Sequence, residues 1–186
     1  VLKYTENDAP IIVSANITVA DADMLTNPNL INATVAIITG FRAGDVLAYS
    51  DTGTGIAAGY DATAGVLSLV GHVSVSDWQA ALRSVTYSSS SEDPTGTQSS
   101  ADRVVSFVIS DGDASSAAVT RTVTVTPVND VPVLAAVEAG ALAYTENDVA
   151  TVVSATITVS DLDLTTDANL DTATVTIGTG LTDGDV

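Results

Sequence analysis

The sequence predicts an all-β protein, an antiparallel β-sandwich that is repeated in tandem. Three observations lead to this fold class: β-branched residues are abundant, apolar and polar residues alternate with a period of two, and the chain contains an internal duplication. The chain has a net charge of −18, but 46% of its residues are hydrophobic and only 15% are charged. This composition can bury a core, and it argues against disorder.

The predicted strands are the segments in which alternate side chains are apolar. They are separated by turn sequences such as Asp51-Thr52-Gly53 and Asp111-Gly112-Asp113. One short helix is predicted at residues 76–82, where Ser76 and Gln79 have capping-box spacing and Trp78 and Leu82 would face the core. The predicted strands lie within residues 11–20, 35–37, 46–49, 66–70, 85–87, 105–109 and 119–125.

The duplication has an offset of 140 residues. Residues 2–8 return as residues 142–148, and 26 of the 46 overlapping pairs are identical. We therefore predict a first repeat at residues 1–128, an inter-repeat linker at residues 129–132, and the N-terminal part of a second repeat at residues 133–186. Prolines on both sides of Asn129 and Asp130 stiffen the linker. We expect the sequence to be a piece of a longer tandem array.

Composition also excludes several classes of function. The chain has 23 acidic and 5 basic residues, which argues against binding to nucleic acids or to anionic lipid. It contains no cysteine, so disulfides and zinc-thiolate sites are excluded. No apolar stretch is long enough to span a bilayer. We expect no enzymatic activity, since His72 is the only histidine and no nucleophile-elbow motif accompanies it.

The acidic residues favour a hard cation. Nineteen of the 23 acids are aspartate, and carboxylate oxygens suit calcium. Asp161 and Asp163 are two residues apart at a predicted strand end, where both side chains can point the same way. Without a cation their charges would repel each other and raise their pKa values. The same pair occurs in the first repeat as Asp21 and Asp23.

Five motifs follow one another along the chain: Tyr4-Thr5-Glu6-Asn7-Asp8, Thr18-Val19-Ala20-Asp21-Ala22-Asp23, Ala80-Ala81-Leu82-Arg83-Ser84-Val85-Thr86-Tyr87, Val108-Ile109-Ser110-Asp111-Gly112 and Val128-Asn129-Asp130-Val131-Pro132-Val133-Leu134. In this order they resemble the tandem cadherin-like repeats of giant bacterial surface and adhesin proteins. The resemblance covers the whole chain, and it implies a Greek-key, immunoglobulin-like β-sandwich on the bacterial cell surface.

The resemblance also implies a set of Ca²⁺ ligands at the junction between repeats. The positions concerned are acidic residues near the start of each repeat, a DxD motif, an aspartate in the last hairpin and an Asn-Asp linker. The nearest counterpart of the family's remaining acidic motif is Glu92-Asp93. We expect one junction formed by Glu6, Asn129, Asp130, Asp161 and Asp163, and an equivalent half-site formed by Asp21, Asp23 and Asp111.

The leading functional hypothesis is an extracellular structural and adhesive module, a calcium-stiffened spacer whose partners are neighbouring repeats of the same chain. One alternative is a subunit of a self-assembling extracellular fibre or sheath, a homo-polymer that could form by strand exchange. The other is a glycan- or protein-binding module that uses the predicted loops at residues 51–65 and 88–103.

Overall fold

The structure is a computed structural model, and it describes residues 1–22, 29–51, 53–96, 99–163 and 169–183. This part of the chain is all-β with a single short helix, which confirms the all-β part of the predicted fold class. The elements are β1 (Leu2–Thr5), β2 (Ile11–Ile12), β3 (Asn29–Thr39), β4 (Asp45–Ala48), β5 (Ala57–Asp61), β6 (Val66–Ser74), α1 (Val75–Arg83), β7 (Thr86–Ser89), β8 (Ala101–Ser110), β9 (Val119–Thr126), β10 (Val133–Ala135) and β11 (Thr158–Ser160).

The strands form a six-stranded sheet in the order β1-β9-β8-β3-β6-β5, a three-stranded sheet in the order β2-β7-β4, and the isolated pair β10-β11. The ladders are antiparallel as predicted, with one exception. Strand β1 runs parallel to β9, with Leu2 beside Val123 and Thr5 beside Thr126. This parallel pair brings the start of the first repeat to the point where that repeat ends.

The hydrophobic core lies between the two larger sheets and the helix. Val35 and Val105 come from the six-stranded sheet, Leu47 comes from β4, and Trp78 and Leu82 come from α1. All five side chains are buried, which confirms the inward face predicted for the helix.

The N-cap of the helix lies two residues earlier than the sequence pattern predicts. Ser74 is the N-cap, because its hydroxyl accepts a hydrogen bond from the Asp77 N–H at 3.2 Å and donates one to the Asp77 carboxylate at 2.6 Å. The predicted capping partner Gln79 has another role: its side-chain oxygen accepts a hydrogen bond from the Val19 N–H at 3.2 Å.

Two strand predictions are wrong. The alternating segment 11–20 forms a strand only at β2, and residues 17–20 are bonded by helix side chains instead: Arg83 Nε donates to the Ile17 carbonyl at 2.8 Å. Strand β5 lies within the predicted loop at residues 51–65. Its sequence, Ala-Ala-Gly-Tyr-Asp, is mostly exposed and lacks the apolar alternation that would have indicated a strand.

The second copy of the repeated sequence is much less buried than the first. Tyr144 is 60% exposed, whereas its counterpart Tyr4 is 1% exposed. In the first copy the Tyr4 ring contacts Tyr87 of β7, and β1 pairs with β9; this sequence contains no second copy of β7 or β9. Among the described residues, no helix is both long enough and apolar enough to cross a membrane.

Candidate metal centre

The candidate site lies beyond the end of β9, and Glu6 is fixed there by the backbone. The parallel pairing of β1 with β9 places Glu6 beside the end of β9, and its N–H donates to the Thr126 carbonyl at 2.9 Å. The Glu6 Oε2 atom then accepts a hydrogen bond from the Val128 N–H at 2.7 Å. These two bonds hold the carboxyl group against residues 126–128.

A tight turn after β1 points Glu6 inward. Asn7 adopts a left-handed backbone conformation with φ of 67°, which asparagine tolerates better than most residues. The turn is closed by a hydrogen bond from the Asp8 N–H to the Thr5 carbonyl at 3.0 Å, and the Tyr4 hydroxyl donates to the Asp8 carbonyl at 3.2 Å. The turn recurs in the second copy, where Asn147 has φ of 68° and the Asp148 N–H donates to the Thr145 carbonyl at 3.0 Å.

Three carboxyl groups converge at this point, and we call them the junction cluster: Glu6, Glu92 and Asp130. One oxygen from each lies within 4.8 Å of the others. Glu6 is 3% exposed. Within the described part of the chain, Glu6 Oε1 and Asp130 Oδ2 are buried and have no hydrogen-bond donor. Buried carboxylate oxygens without donors are costly, and a cation would satisfy both.

The electrostatics of the junction cluster are unfavourable without a counter-ion. Burial raises the pKa of Glu6, and the charges of Asp130, Glu92 and Asp163 raise it further, while the hydrogen bond from the Val128 N–H acts in the opposite direction. Each of these close carboxylates makes the ionised form of its neighbours less favourable. A bound cation reverses this effect.

The second repeat contributes Asp163, which is 7% exposed. Its carboxylate accepts a hydrogen bond from the Asp130 N–H, so it holds the linker residue of the junction cluster. Asp161 supports Asp163, because one of its carboxylate oxygens accepts the Asp163 N–H at 2.9 Å. Asn129 is exposed, and its amide donates to the Asp130 carbonyl. Of the five predicted junction residues, the structure therefore gathers Glu6, Asp130 and Asp163 most closely.

Glu92 is the member of the junction cluster that the predicted ligand set does not include. Glu92 lies in the connection between β7 and β8, far from Glu6 in sequence. This connection is anchored by Arg103, whose Nη2 donates to the Pro94 carbonyl at 2.6 Å. The signal that could have identified Glu92 is the acidic pair directly before this buried proline.

The predicted half-site is only partly described. Asp21 and Asp111 line one concavity of about 200 Å³. The Asp111 carboxylate accepts hydrogen bonds from the N–H groups of Asp113 and Ala114, at 2.9 and 2.8 Å, and these bonds lower its pKa. Asp23 lies outside the described residues.

The atoms that the junction cluster offers to a metal ion are all carboxylate oxygens. Zinc prefers nitrogen and sulfur ligands, while calcium accepts six to eight oxygens with flexible geometry. The residues present therefore fit Ca²⁺, with water or backbone carbonyls completing its coordination.

Comparison of the chain with protein-family models, with curated proteins and with solved structures finds no match. The cadherin-like interpretation therefore depends on the sequence motifs.

Proposed function

We propose that this chain is an extracellular structural and adhesive module, a calcium-stiffened spacer of a large bacterial surface protein. In this proposal the repeats are cadherin-like Greek-key β-sandwiches, with boundaries at residues 1–128 and 133–186. The observation that carries the proposal is the pair of buried carboxylate oxygens without donors, Glu6 Oε1 and Asp130 Oδ2, between a repeat and its linker. The duplication of the sequence at an offset of 140 residues supports the tandem arrangement.

The proposed mechanism is that one ion ties three parts of the chain together. Glu6 and Glu92 provide ligands from the first repeat, Asp130 provides one from the linker, and Asp163 holds Asp130 from the second repeat. Bound Ca²⁺ cancels the repulsion within the junction cluster and limits rotation about the linker. Extracellular modules of this kind bind calcium with Kd of about 10⁻⁴ to 10⁻³ M.

The first test is thermal unfolding of the whole chain in chelator and in calcium. With a Kd of about 0.5 mM, 5 mM Ca²⁺ stabilises the folded state by about 1.4 kcal/mol. For a chain of this size that corresponds to a rise in Tm of roughly 3–6 °C. Mg²⁺ at the same concentration should give a smaller rise, since it requires a stricter octahedral geometry.

The Glu6→Gln variant gives the sharper result. In chelator it should raise Tm, because it removes a buried charge that faces other carboxylates, and in 5 mM Ca²⁺ it should lower Tm relative to wild type, because it removes a ligand. The matched control is Glu146→Gln, which makes the same change at the exposed counterpart in the second copy. The proposal is wrong if calcium has no effect on Tm, or if both variants respond to calcium as the wild type does.

Stiffening is measured separately from binding. The chain has no cysteine, so spin labels can be attached at Asp102→Cys on β8 and at Val149→Cys in the second copy, both of which are exposed positions. Addition of Ca²⁺ should narrow the distance distribution between the labels. A distribution of unchanged width would contradict the role as a stiffened spacer, even if calcium binds.

A further inference from the structure

Two segments that are distant in sequence bring carboxyl groups to the junction cluster. Glu6 lies in the turn after β1, and Glu92 lies in the connection between β7 and β8. One carboxylate oxygen of each lies within 4.8 Å of the other and of an oxygen of Asp130. Carboxylates this close repel each other. Contacts between the two segments, away from the carboxylates, must therefore set their separation.

The hydroxyl group of Tyr4 lies between these two segments. The Tyr4 ring is buried, and it packs edge-to-face against the Tyr87 ring with 5.1 Å between the ring centroids. The hydroxyl oxygen accepts a hydrogen bond from the Ser89 N–H at 3.1 Å. Its proton is donated to the Asp8 carbonyl at 3.2 Å or to the Ser89 carbonyl at 3.1 Å. One buried hydroxyl therefore joins the turn that carries Glu6 to the end of β7.

The turn on one side of this hydroxyl is closed twice. The Asp8 N–H donates to the Thr5 carbonyl at 3.0 Å, and the Asp8 carboxylate accepts the Thr5 N–H at 3.0 Å. Glu6 lies between these two residues, and its own N–H is bonded to the Thr126 carbonyl. A shift of the Asp8 carbonyl relative to Tyr4 would therefore move Glu6 as well.

The segment on the other side reaches Glu92 through short-range bonds. The Ser89 hydroxyl accepts the Ser91 N–H at 3.3 Å, and the Ser91 hydroxyl accepts the Asp93 N–H at 3.2 Å. Bonds from serine hydroxyls to nearby backbone groups fix local turns of this kind. Glu92 lies between Ser91 and Asp93, so its position follows from the place at which Tyr4 holds Ser89.

We propose that Tyr4 is a positioning residue of the junction cluster, whose hydroxyl sets the separation of Glu6 and Glu92 and thereby the affinity for Ca²⁺. The inference rests on the proposed function, because it concerns the same site. Tyr4 does not bind the ion in this arrangement, and it acts through the two carboxylates. Replacement of residues that hold metal ligands in place by hydrogen bonds typically weakens metal binding by about 10- to 100-fold.

Tyr4→Phe is the decisive variant, because it removes the hydroxyl and keeps the buried ring. The Ser89 N–H and the Asp8 carbonyl lose their partner, so the two segments can move apart under the repulsion of their carboxylates. Calorimetric titration of Ca²⁺ into the whole chelator-treated chain should give a Kd about 10-fold weaker than that of the wild type. The titration is made at a temperature at which the circular dichroism of the variant matches that of the wild type.

Tyr60→Phe is the matched control for the loss of a hydroxyl group. Tyr60 lies on β5, at the opposite edge of the six-stranded sheet from β1, and its hydroxyl donates to the Asp45 carbonyl at 2.6 Å. This variant should lower Tm as Tyr4→Phe does, while its Kd for Ca²⁺ stays within about twofold of the wild type, since distant sites act independently. If Tyr4 contributed to stability alone, both variants would keep the wild-type Kd.

A double-variant cycle shows whether Tyr4 acts through Glu92. Glu92 is exposed, so Glu92→Gln should fold, and alone it should weaken Ca²⁺ binding by about 10-fold because a charged ligand is lost. In the Tyr4→Phe background Glu92 is already displaced, so the same substitution should weaken binding by less than about threefold. Equal factors in the two backgrounds would show that Tyr4 does not position Glu92, and would overturn the inference.

Ser91→Ala tests the arrangement from the loop side and leaves Tyr4 intact. It removes the acceptor of the Asp93 N–H, so it should weaken Ca²⁺ binding several-fold. Should Tyr4→Phe fail to fold, the Kd of Ser91→Ala decides the inference in its place.

The wild-type titration separates this inference from the proposed function. A wild type that binds no Ca²⁺ would overturn both. A wild type that binds Ca²⁺, together with Tyr4→Phe and Ser91→Ala variants that bind it equally well, would overturn the positioning role and leave the proposed function standing.

Discussion

Replacement of Arg103 by methionine should cost about 3–5 kcal/mol of unfolding free energy. Arg103 forms a fully buried ion pair with Asp45, with 2.6 Å between Nε and Oδ2. Asp45 also accepts hydrogen bonds from the Tyr87 hydroxyl at 2.7 Å and from the Arg42 N–H at 2.8 Å. These two donors remain in the variant, but the compensating positive charge does not.

The magnitude follows from what the substitution leaves behind. Methionine fills most of the volume of the arginine stem, so the cavity contribution is small. Asp45 stays buried without its counter-charge, which accounts for most of the loss. The bond from Arg103 to the Pro94 carbonyl is also lost, at a cost of about 1 kcal/mol that is included in the range. The total is a large fraction of the 5–15 kcal/mol typical of a folded domain.

The assay is urea unfolding followed by the fluorescence of Trp78, the only tryptophan in the chain. With a slope of about 1–3 kcal/mol/M, the midpoint should fall by roughly 1–5 M. Arg121→Met is the matched control on the exposed side of β9, and it should change stability by less than about 0.5 kcal/mol.

A double variant tests the reason for the loss. Arg103→Met combined with Asp45→Leu replaces both charges with apolar groups, so it should be more stable than Arg103→Met alone. The reasoning fails if Arg103→Met costs less than about 1 kcal/mol, or if the double variant is no more stable than the single one.

Three further predictions concern other parts of the chain. In chelator, the contribution of Glu6 to stability should fall as pH rises from its unfolded pKa of 4.5 through its raised folded pKa. The Tm measured from pH 4.5 to 8 should show this fall in the wild type and should lack it in Glu6→Gln. Gly40→Ala should cost at least about 2 kcal/mol in urea unfolding, because its backbone has φ of 77° and a Cβ atom would overlap the Asp102 carbonyl. Gly53→Ala, at φ of 84° in open space, should cost only about 1 kcal/mol. Trp78→Phe should lower the free energy of unfolding, measured by circular dichroism, by about 2–4 kcal/mol. The substitution leaves a cavity, and the buried Leu30 carbonyl loses its 2.9 Å hydrogen bond.

The parts of the fold that the sequence predicted are those with a strong local pattern. Trp78 and Leu82 lie one helical turn apart and are buried as their spacing predicts. The sequence pattern does not reveal strand β5, because its residues are mostly exposed and lack apolar alternation, although it forms a hairpin with β6. The N-cap was misplaced by two residues because serines occupy positions 74 and 76, and the choice between them depends on the Asp77 side chain.

The predicted junction residues Glu6, Asp130 and Asp163 lie near one another in the structure, and whether they bind a metal stays a prediction. Glu6 lies beside residues 126–128 because β1 pairs with β9. Asp163 contacts Asp130 because β10, which follows Asp130, pairs with β11, which precedes Asp163. Glu92 joins them through a loop whose course is set by the bond from Arg103 to the Pro94 carbonyl. A contact between loops that are distant in sequence cannot be predicted from periodicity, because no repeating pattern connects them.

The turn that follows β1 has a consequence for the order in which the molecule assembles. Its second copy at residues 144–148 has the same left-handed asparagine and the same closing bond, although Tyr144 is largely exposed. The turn therefore depends on contacts within five residues, and such local contacts form early in folding. During synthesis on the ribosome, the turn at the acidic end of each copy can therefore form before the strands that bury it have been synthesised.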